Sequence, residues 1–413
     1  MKKHLRALSR VGVTALVVAG LVAAGTSPAG AADQFGSGNV VVYRVGTGAA
    51  ASGSAARAVF LDEYTPTGTL VRSIAMPTAT VGADKRLVAK GDDKSEGMLT
   101  RSADGQFLAV PGYDAAVGST VGSGSTSAAV PRVVGLVDCA AEVDTSTALT
   151  DVLSGNEIRG AYTSNGTNIW AMGDNDSAST AGTYFTTIGA TTATNLIPAA
   201  SRGSQRHLEA FGGQLYTTGS GSGTGIRFAS VGSGLPTTPI PAPPYGDFGF
   251  TSGSFYAFFF ADLSPAVAGV DTFYVAEDGS GGGIRKYSLV GSTWTLRGTI
   301  AVASSSGNIR GLTGTVLGTQ VTLFATTTQT NGGLFLASDA TGYNVNASGT
   351  ATKIADAGAN KQYRGVAMAP ASCPPPAVVS EAPLGILLPL TAVGIGAVGV
   401  LGVRRRRAAR AAR

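Results

Sequence analysis

The chain has 413 residues, of which 59 are glycine, 44% are hydrophobic and 13% are charged. That composition excludes both a charge-driven disordered protein and a chain of long helices, and points to an all-β body. The formal net charge of +5 sits at the two ends: residues 32–380 hold 20 basic against 24 acidic residues, a net of −4, so the body lacks the basic field a nucleic-acid binder needs.

The chain opens with Lys2, Lys3, Arg6 and Arg10, an apolar run from Val11 to Ala24, and a small-residue end at Ala29-Gly30-Ala31. This pattern predicts a secretory signal peptide over residues 1–31, cleaved before Ala32. Export places the only two cysteines, Cys139 and Cys373, in an oxidising compartment, where they form a disulfide or remain as two thiols.

Three strand-like runs follow: Asn39 to Val45, Ala58 to Leu61 and Leu70 to Ile74. A recurrent unit then begins, in which a charged residue and a small one open an apolar run, a turn with glycine comes next, and further apolar runs follow. Its copies open at Glu96-Gly97, Arg159-Gly160, Arg206-His207 and Arg310-Gly311, and a unit without a charged opener begins at Phe255. The Asp104-Gly105 and Asn165-Gly166 pairs are hairpin signals, because both turn residues tolerate positive φ. Four strands per unit at repeats of about 50 residues are the signature of a β-propeller. The run Tyr363 to Met368 reads as a first strand lacking its successors, and the three early runs as successors lacking a first strand. Joined, they make a sixth blade from both ends of a body spanning 32–370, so the expected fold is a six-bladed propeller. Seven blades, with strands hidden in 114–131 or 235–254, and a β-sandwich are the rival readings.

Catalytic resources are thin. Past the signal peptide the only histidine is His207, which excludes a metal site with two histidine ligands and leaves a Ser-His-Asp triad one residue to use. Asp174-Asn175-Asp176-Ser177 and Glu277-Asp278-Gly279 place carboxylates in turns, without the spacing of a complete calcium loop. Neither a metal nor an organic cofactor is expected. The aromatics Tyr256, Phe258, Phe259 and Phe260 must alternate faces if they form a strand, so at least part of that set packs in the core.

In a propeller the first strands line the central channel in one direction, which places their opening residues Glu96, Arg159, Arg206, Arg310 and Arg364 at one mouth. Four positive charges and one negative on a body of net −4 would attract carboxylate, sulfate or phosphate groups. The alternative is that each arginine pairs with a neighbouring acid such as Glu157 or Glu209 and ties adjacent blades together.

Ala371 to Ala377 contains three successive prolines, a semi-rigid spacer that extends to residue 382. Residues 383–403 carry no charge, long enough as a helix to cross a bilayer, and Arg404 to Arg407 follow at once. Such a cluster stays cytoplasmic, which predicts a single-pass membrane anchor with the body outside and residues 404–413 as a basic inner tail. Glu381-Ala382-Pro383, Leu388-Pro389-Leu390-Thr391-Ala392 and the arginine cluster together resemble the C-terminal sorting tails of bacterial surface proteins. Runs such as Phe60 to Leu70 and Leu99 to Gly105 resemble uncharacterised secreted bacterial proteins that carry such tails. The resemblance implies cell-surface display, with wall attachment as the variant of membrane anchoring, and transfers no activity. Two functions follow: a surface module binding a glycan, a peptide or an envelope component, which the sparse histidine and cysteine inventory favours, or a hydrolase or lyase acting on extracellular polymer.

Overall fold

A computed structural model describes residues 34–50, 53–174, 182–197, 203–221, 226–279, 281–303, 309–371 and 373. The signal-peptide, membrane-span and arginine-tail expectations lie outside these residues, as does the spacer apart from residues 371 and 373. No helix among the described residues is long and apolar enough to cross a membrane.

The described chain is all-β, with a single 3-10 turn at Gly122–Gly124. The first three strands, β1 (Val40–Val45), β2 (Ala56–Tyr64) and β3 (Leu70–Ala75), pair in sequence. The short strand β4 (Val88–Lys90) comes next. A second antiparallel set is β5 (Thr100–Arg101), β6 (Phe107–Tyr113), β7 (Arg132–Asp138) and β8 (Val143–Leu149). A third is β9 (Ile158–Thr163), β10 (Asn168–Gly173), β11 (Thr183–Thr187) and β12 (Thr194–Asn195). The fourth is β13 (Gln205–Phe211), β14 (Gln214–Gly219), β15 (Phe228–Val231) and β16 (Tyr245–Asp247). The fifth is β17 (Phe255–Ala261), β18 (Thr272–Glu277), β19 (Gly283–Val290) and β20 (Thr293–Val302). The sixth is β21 (Ile309–Leu317), β22 (Gln320–Thr327), β23 (Gly333–Asp339) and β24 (Thr350–Asp356). The last strand, β25 (Gln362–Met368), returns to pair antiparallel with β1, Val40 opposite Met368 and Val45 opposite Gln362. Both ends of the body therefore share one four-stranded set, β25-β1-β2-β3.

Two stitches blur the separation between sets. Strand β4 bridges β2 to β6, and a short parallel contact links β20 to β24 at Ala301 and Thr350. Of the two segments that could have hidden further strands, 114–131 holds only the 3-10 turn, and 235–254 supplies β16, the outer strand of its own set.

The all-apolar run of β1 follows from burial on both faces, which a strand between two packed layers requires. Val41, Tyr43 and Val45 enter one core with Leu61, Leu108 and Val133. Val40 and Val42 enter another with Phe324, Leu334 and Tyr363. The aromatic run at 255–260 resolves in the same way: Phe255, Phe258 and Phe260 join Phe228 and Phe273 in a buried cluster, while Phe259 is only partly covered.

The inner strands of the sets are neighbours in succession, β9 to β13 to β17 to β21 to β25 to β5 and back to β9, which is the ring of a propeller-like fold. The expected first strand at 96–99 is the exception, because its ladder begins only at Thr100. Gly97 has φ +73°, and the backbone beyond it spends its hydrogen bonds sideways across the ring: Gly365 N–H donates to the Gly97 carbonyl at 2.9 Å and Met98 N–H to the Arg159 carbonyl at 2.9 Å. Cys139 and Cys373 form a disulfide, so the departing chain is fastened to the β7–β8 turn. The Ala371 N–H, donating to Gly105 O at 2.6 Å, and Arg101 Nη1, donating to Ala369 O at 3.1 Å, add to that attachment.

Candidate functional site at the ring mouth

Five inner strands carry an irregularity close to their start, after the first residue in four of them and after the second in β25. In β9, Ile158 faces Gly173 and Gly160 faces Met172, which leaves Arg159 as the extra residue. The same shift leaves out Arg206 in β13 and Arg310 in β21. Arg364 lies inside the corresponding shift of β25, and Tyr256 inside that of β17. A bulge breaks the alternation of faces and re-aims the extra side chain. The four arginines thus occupy one equivalent position, and the unit without a charged opener has Tyr256 there.

Three of these arginines form a connected arc. Arg159 Nη1 donates to Ser204 Oγ at 2.8 Å, Arg206 Nη1 to Ser254 Oγ at 2.7 Å, and Arg310 Nη1 to Ser95 Oγ at 2.9 Å. Tyr256 is buried between its neighbours, with the Arg206 guanidinium 4.6 Å and the Arg310 guanidinium 4.3 Å from its ring centre. Cation–π attraction of this kind holds two like charges close together. Burial lowers the Arg206 pKa, the tyrosine opposes that shift, and Arg159 and Arg310 push it further down.

The arginines differ in their counter-ions. Arg159 meets Asp174 at 2.8 Å, and Arg310 Nε donates to Asp278 at 2.8 Å. These are not the acids expected from sequence: Glu157 pairs with Lys90 at 3.7 Å and Glu209 with His207 at 3.3 Å. Asp174 and Asp278 occupy equivalent places, directly after the second strand of their sets, with their N–H groups donating to Glu157 O and Ser254 O. In the set of Arg206 that place belongs to Ser220, whose N–H donates to Ser204 O. Among the described residues, Arg206 consequently has no carboxylate in a salt bridge, and Asp278 reaches it only through space.

Arg364 and Glu96 lie behind this arc rather than on it. Arg364 is wholly buried, with Nη2 donating to Lys90 O at 3.3 Å, and its Nε and Nη1 have no hydrogen-bond partner among the described residues. Glu96 is 2% exposed, accepting from Tyr113 Oη at 2.6 Å and from Lys90 N–H at 3.0 Å. Burial, and then Asp93, push the Glu96 carboxyl up to about 8. At pH 7 it therefore lies on the protonated side of its titration, which weakens the negative break expected in the ring.

His207 is buried beside Phe258, their ring centres 5.1 Å apart, with Nε2 bonded to Glu209 and Nδ1 without a hydrogen-bond partner among the described residues. No group of three or more His, Cys, Asp or Glu that could hold a metal occurs among the described residues. Sequence reading missed Tyr256, Ser254, Asp174 and Asp278 as parts of the arc. Tyr256 could have been found from the small residue after it, Ala257, which stands where glycine follows Arg159, Arg310 and Arg364.

No family model matches the chain, and no curated protein matches it. Solved structures that resemble it are propeller-like proteins. A putative 6-phosphogluconolactonase from Bacteroides fragilis is 10% identical, covering 82% of this chain and 99% of its own, with a TM-score of 0.38. A structure from a nidogen/laminin complex is 11% identical, covering 81% and 100%, at 0.46. TolB from Acinetobacter baumannii is 10% identical, covering 81% and 67%, at 0.43. Likenesses this distant carry no activity to this chain.

Proposed function

We propose that the protein is an exported, surface-anchored six-bladed propeller that binds an extracellular ligand through an anionic group at the mouth formed by Arg159, Arg206 and Arg310. The observation that carries this reading is Arg206: a guanidinium held on Tyr256 beside two others, with Ser220 in the place where its neighbours have an aspartate. Bringing like charges together without a full set of counter-ions is costly unless a bound anion or the solvent completes it. Arg364 and Glu96 support the arc from beneath and take no part in contacting ligand.

The hydrolase or lyase reading needs a pair of carboxylates working together at the ring centre. The two acids found on the arc, Asp174 and Asp278, are each held by an arginine, which favours binding over catalysis. A glycan and peptide array probed with the full-length protein and with Arg206→Gln tests the reading. Retention of anionic ligands by the parent and their loss in the variant, with melting temperatures within about 2 °C of each other, is the expected result. Equal binding by both proteins, or an array response indifferent to ligand charge, would remove the mouth as the binding site.

A further inference from the structure

A groove of about 340 Å³ opens between the second and third strand sets, walled by Phe107, Leu136, Val143 and Ile188 and rimmed by Asp84, Asp138, Glu142 and Asp144. Strand register explains the mixture. Phe107 stands opposite Asp138 and Leu136 opposite Asp144, so these four side chains share one face of β6, β7 and β8. Ile188, just beyond β11, closes the groove from the next set. The Phe107 ring rests on the β9–β10 turn, where a Cβ on Gly166 would come within 2.6 Å of it. That turn is at the far end of β9 from Arg159, so the groove lies away from the mouth and shares no residue with the arc.

The aspartates are held in place with acceptor capacity to spare. Asp84 Oδ1 accepts from Thr145 N–H at 2.8 Å, Asp138 Oδ1 from the Ala140 and Glu142 N–H groups at 2.9 Å each, and Asp144 Oδ1 from Ser146 N–H at 2.9 Å. In all three, Oδ2 has no hydrogen bond among the described residues. None of the four acids is in a salt bridge among those residues, and no basic side chain lines the groove. Lys85, next to Asp84 in the chain, is bonded through its backbone to Thr145 and forms no salt bridge there. From this pairing of apolar wall and negative rim, we infer that the groove is a docking site for an arginine side chain on a segment of a partner polypeptide.

Carboxylates facing one space repel one another, and a cation among them relieves that repulsion. A metal ion does not suit the arrangement, because no group of three or more acids placed to hold one occurs among the described residues. Acids spread along a rim call for a wide cation with several donors. A guanidinium is planar and pairs with two carboxylate oxygens at once. Its flat face stacks on an aromatic ring, here Phe107, and its methylene stem lies along apolar wall. Ile188 is 40% exposed, a surface that such a stem removes from water. A lysine brings the charge without the plane that Phe107 can stack, so it fits less well.

The test is a methyl NMR titration of the full-length protein at pH 7 and low ionic strength, following the Ile188 methyl signal, assigned by its loss in Ile188→Val. The probes are a capped glycine-arginine-glycine peptide, the same peptide with lysine or with citrulline, which keeps the shape of arginine without its charge, and glucosamine. The arginine peptide should move the signal with a Kd on the order of 1 mM, the lysine peptide should bind about threefold more weakly and the citrulline peptide about tenfold more weakly. Glu142→Gln, at an exposed side chain without a hydrogen bond among the described residues, and Asp144→Asn should each weaken the arginine peptide about threefold, the size of one exposed ion pair. Phe107→Leu should erase the preference for arginine over lysine, and Arg206→Gln should leave all four probes unchanged. Citrulline binding as tightly as arginine, or an unchanged Kd in both acid variants, would overturn the inference. Lysine or glucosamine binding as tightly as arginine would overturn it too and assign the groove to another amine, and so would an Ile188 signal that no probe moves. Anion binding at the mouth stands apart from every one of these results, since no arc residue takes part in them.

Discussion

Replacing Glu96 by Gln isolates one buried proton. The folded carboxyl is pushed up to about 8 by burial and Asp93, against 4.5 for the free side chain. Between those values the unfolded chain has released its proton and the folded chain has not. The folded state thus binds more protons, and stability falls as pH rises from about 4.5, levelling off above about 8. At 1.36 kcal/mol per pH unit the loss is capped at about 5 kcal/mol, and structural relaxation around the ionised group will reduce it. Gln has no proton to release, so its curve should be flat in this window. The variant starts lower by up to about 1 kcal/mol at pH 5, because its amide N–H is a weaker donor toward Tyr113 Oη than the O–H of the protonated carboxyl, while the carbonyl oxygen of either side chain accepts from Lys90 N–H. The two stabilities should therefore cross between pH 5 and 8, leaving Glu96→Gln the more stable protein at pH 9. Urea titrations of both proteins at fixed ionic strength across pH 5 to 9 measure this directly, because every other titrating group is common to both and cancels in the difference. Parallel curves would mean that Glu96 is ionised in the folded protein and that the neutral-acid account of the ring is wrong.

What the sequence revealed depended on how local the signal was. A glycine directly after the charged opener marks Arg159, Arg310 and Arg364, and Arg206, followed by His207, is placed with them by the apolar run and glycine turn that come after it. The pairing of the two ends was legible because Tyr363 to Met368 lacked successors and Asn39 to Ile74 lacked a first strand. The counter-ions were not legible. Asp174 and Asp278 read as turn acids, since their relation to Arg159 and Arg310 arises only when the end of a second strand is brought beside the start of a first one, in the same set for Arg159 and in the preceding set for Arg310. Glu96 misled for a related reason: its charge is decided by Lys90, Asp93, Tyr113 and Arg364, which lie up to 268 positions away and remove it from water. Composition and hairpin signals gave strands, but the sideways hydrogen bonds of 97–99 replaced the first strand expected there.

Two further outcomes concern the closure of the ring. Cys139→Ser with Cys373→Ser opens a link spanning 234 residues and should lower the unfolding free energy by about 2–5 kcal/mol, measured as a drop in urea midpoint after peptide mapping has shown the bond in the parent. An unchanged midpoint would mean that the hydrogen bonds from Arg101 and Ala371 already hold the departing chain. Gly365→Ala tests how closely the inner strands approach. A Cβ at 365 would lie 2.1 Å from the Leu99 nitrogen and 2.7 Å from the Gly97 carbonyl oxygen, both backbone atoms that no rotamer change can move. Relief requires β25 to retreat from 97–99, which breaks the Gly365 N–H bond to Gly97 O and loosens the packing of Arg364 behind the arc. Overpacking of this kind costs about 3 kcal/mol, and the effect should appear in the urea midpoint and as faster amide exchange at Met98 and Val366. Gly298→Ala meets the Ala347 carbonyl at 2.2 Å on an outer strand and should destabilise without that exchange signature, because no inner strand moves. If Gly365→Ala melts like the parent, the inner strands are not in contact at this point, and the arginines around the mouth are spaced more widely than the ring described here requires.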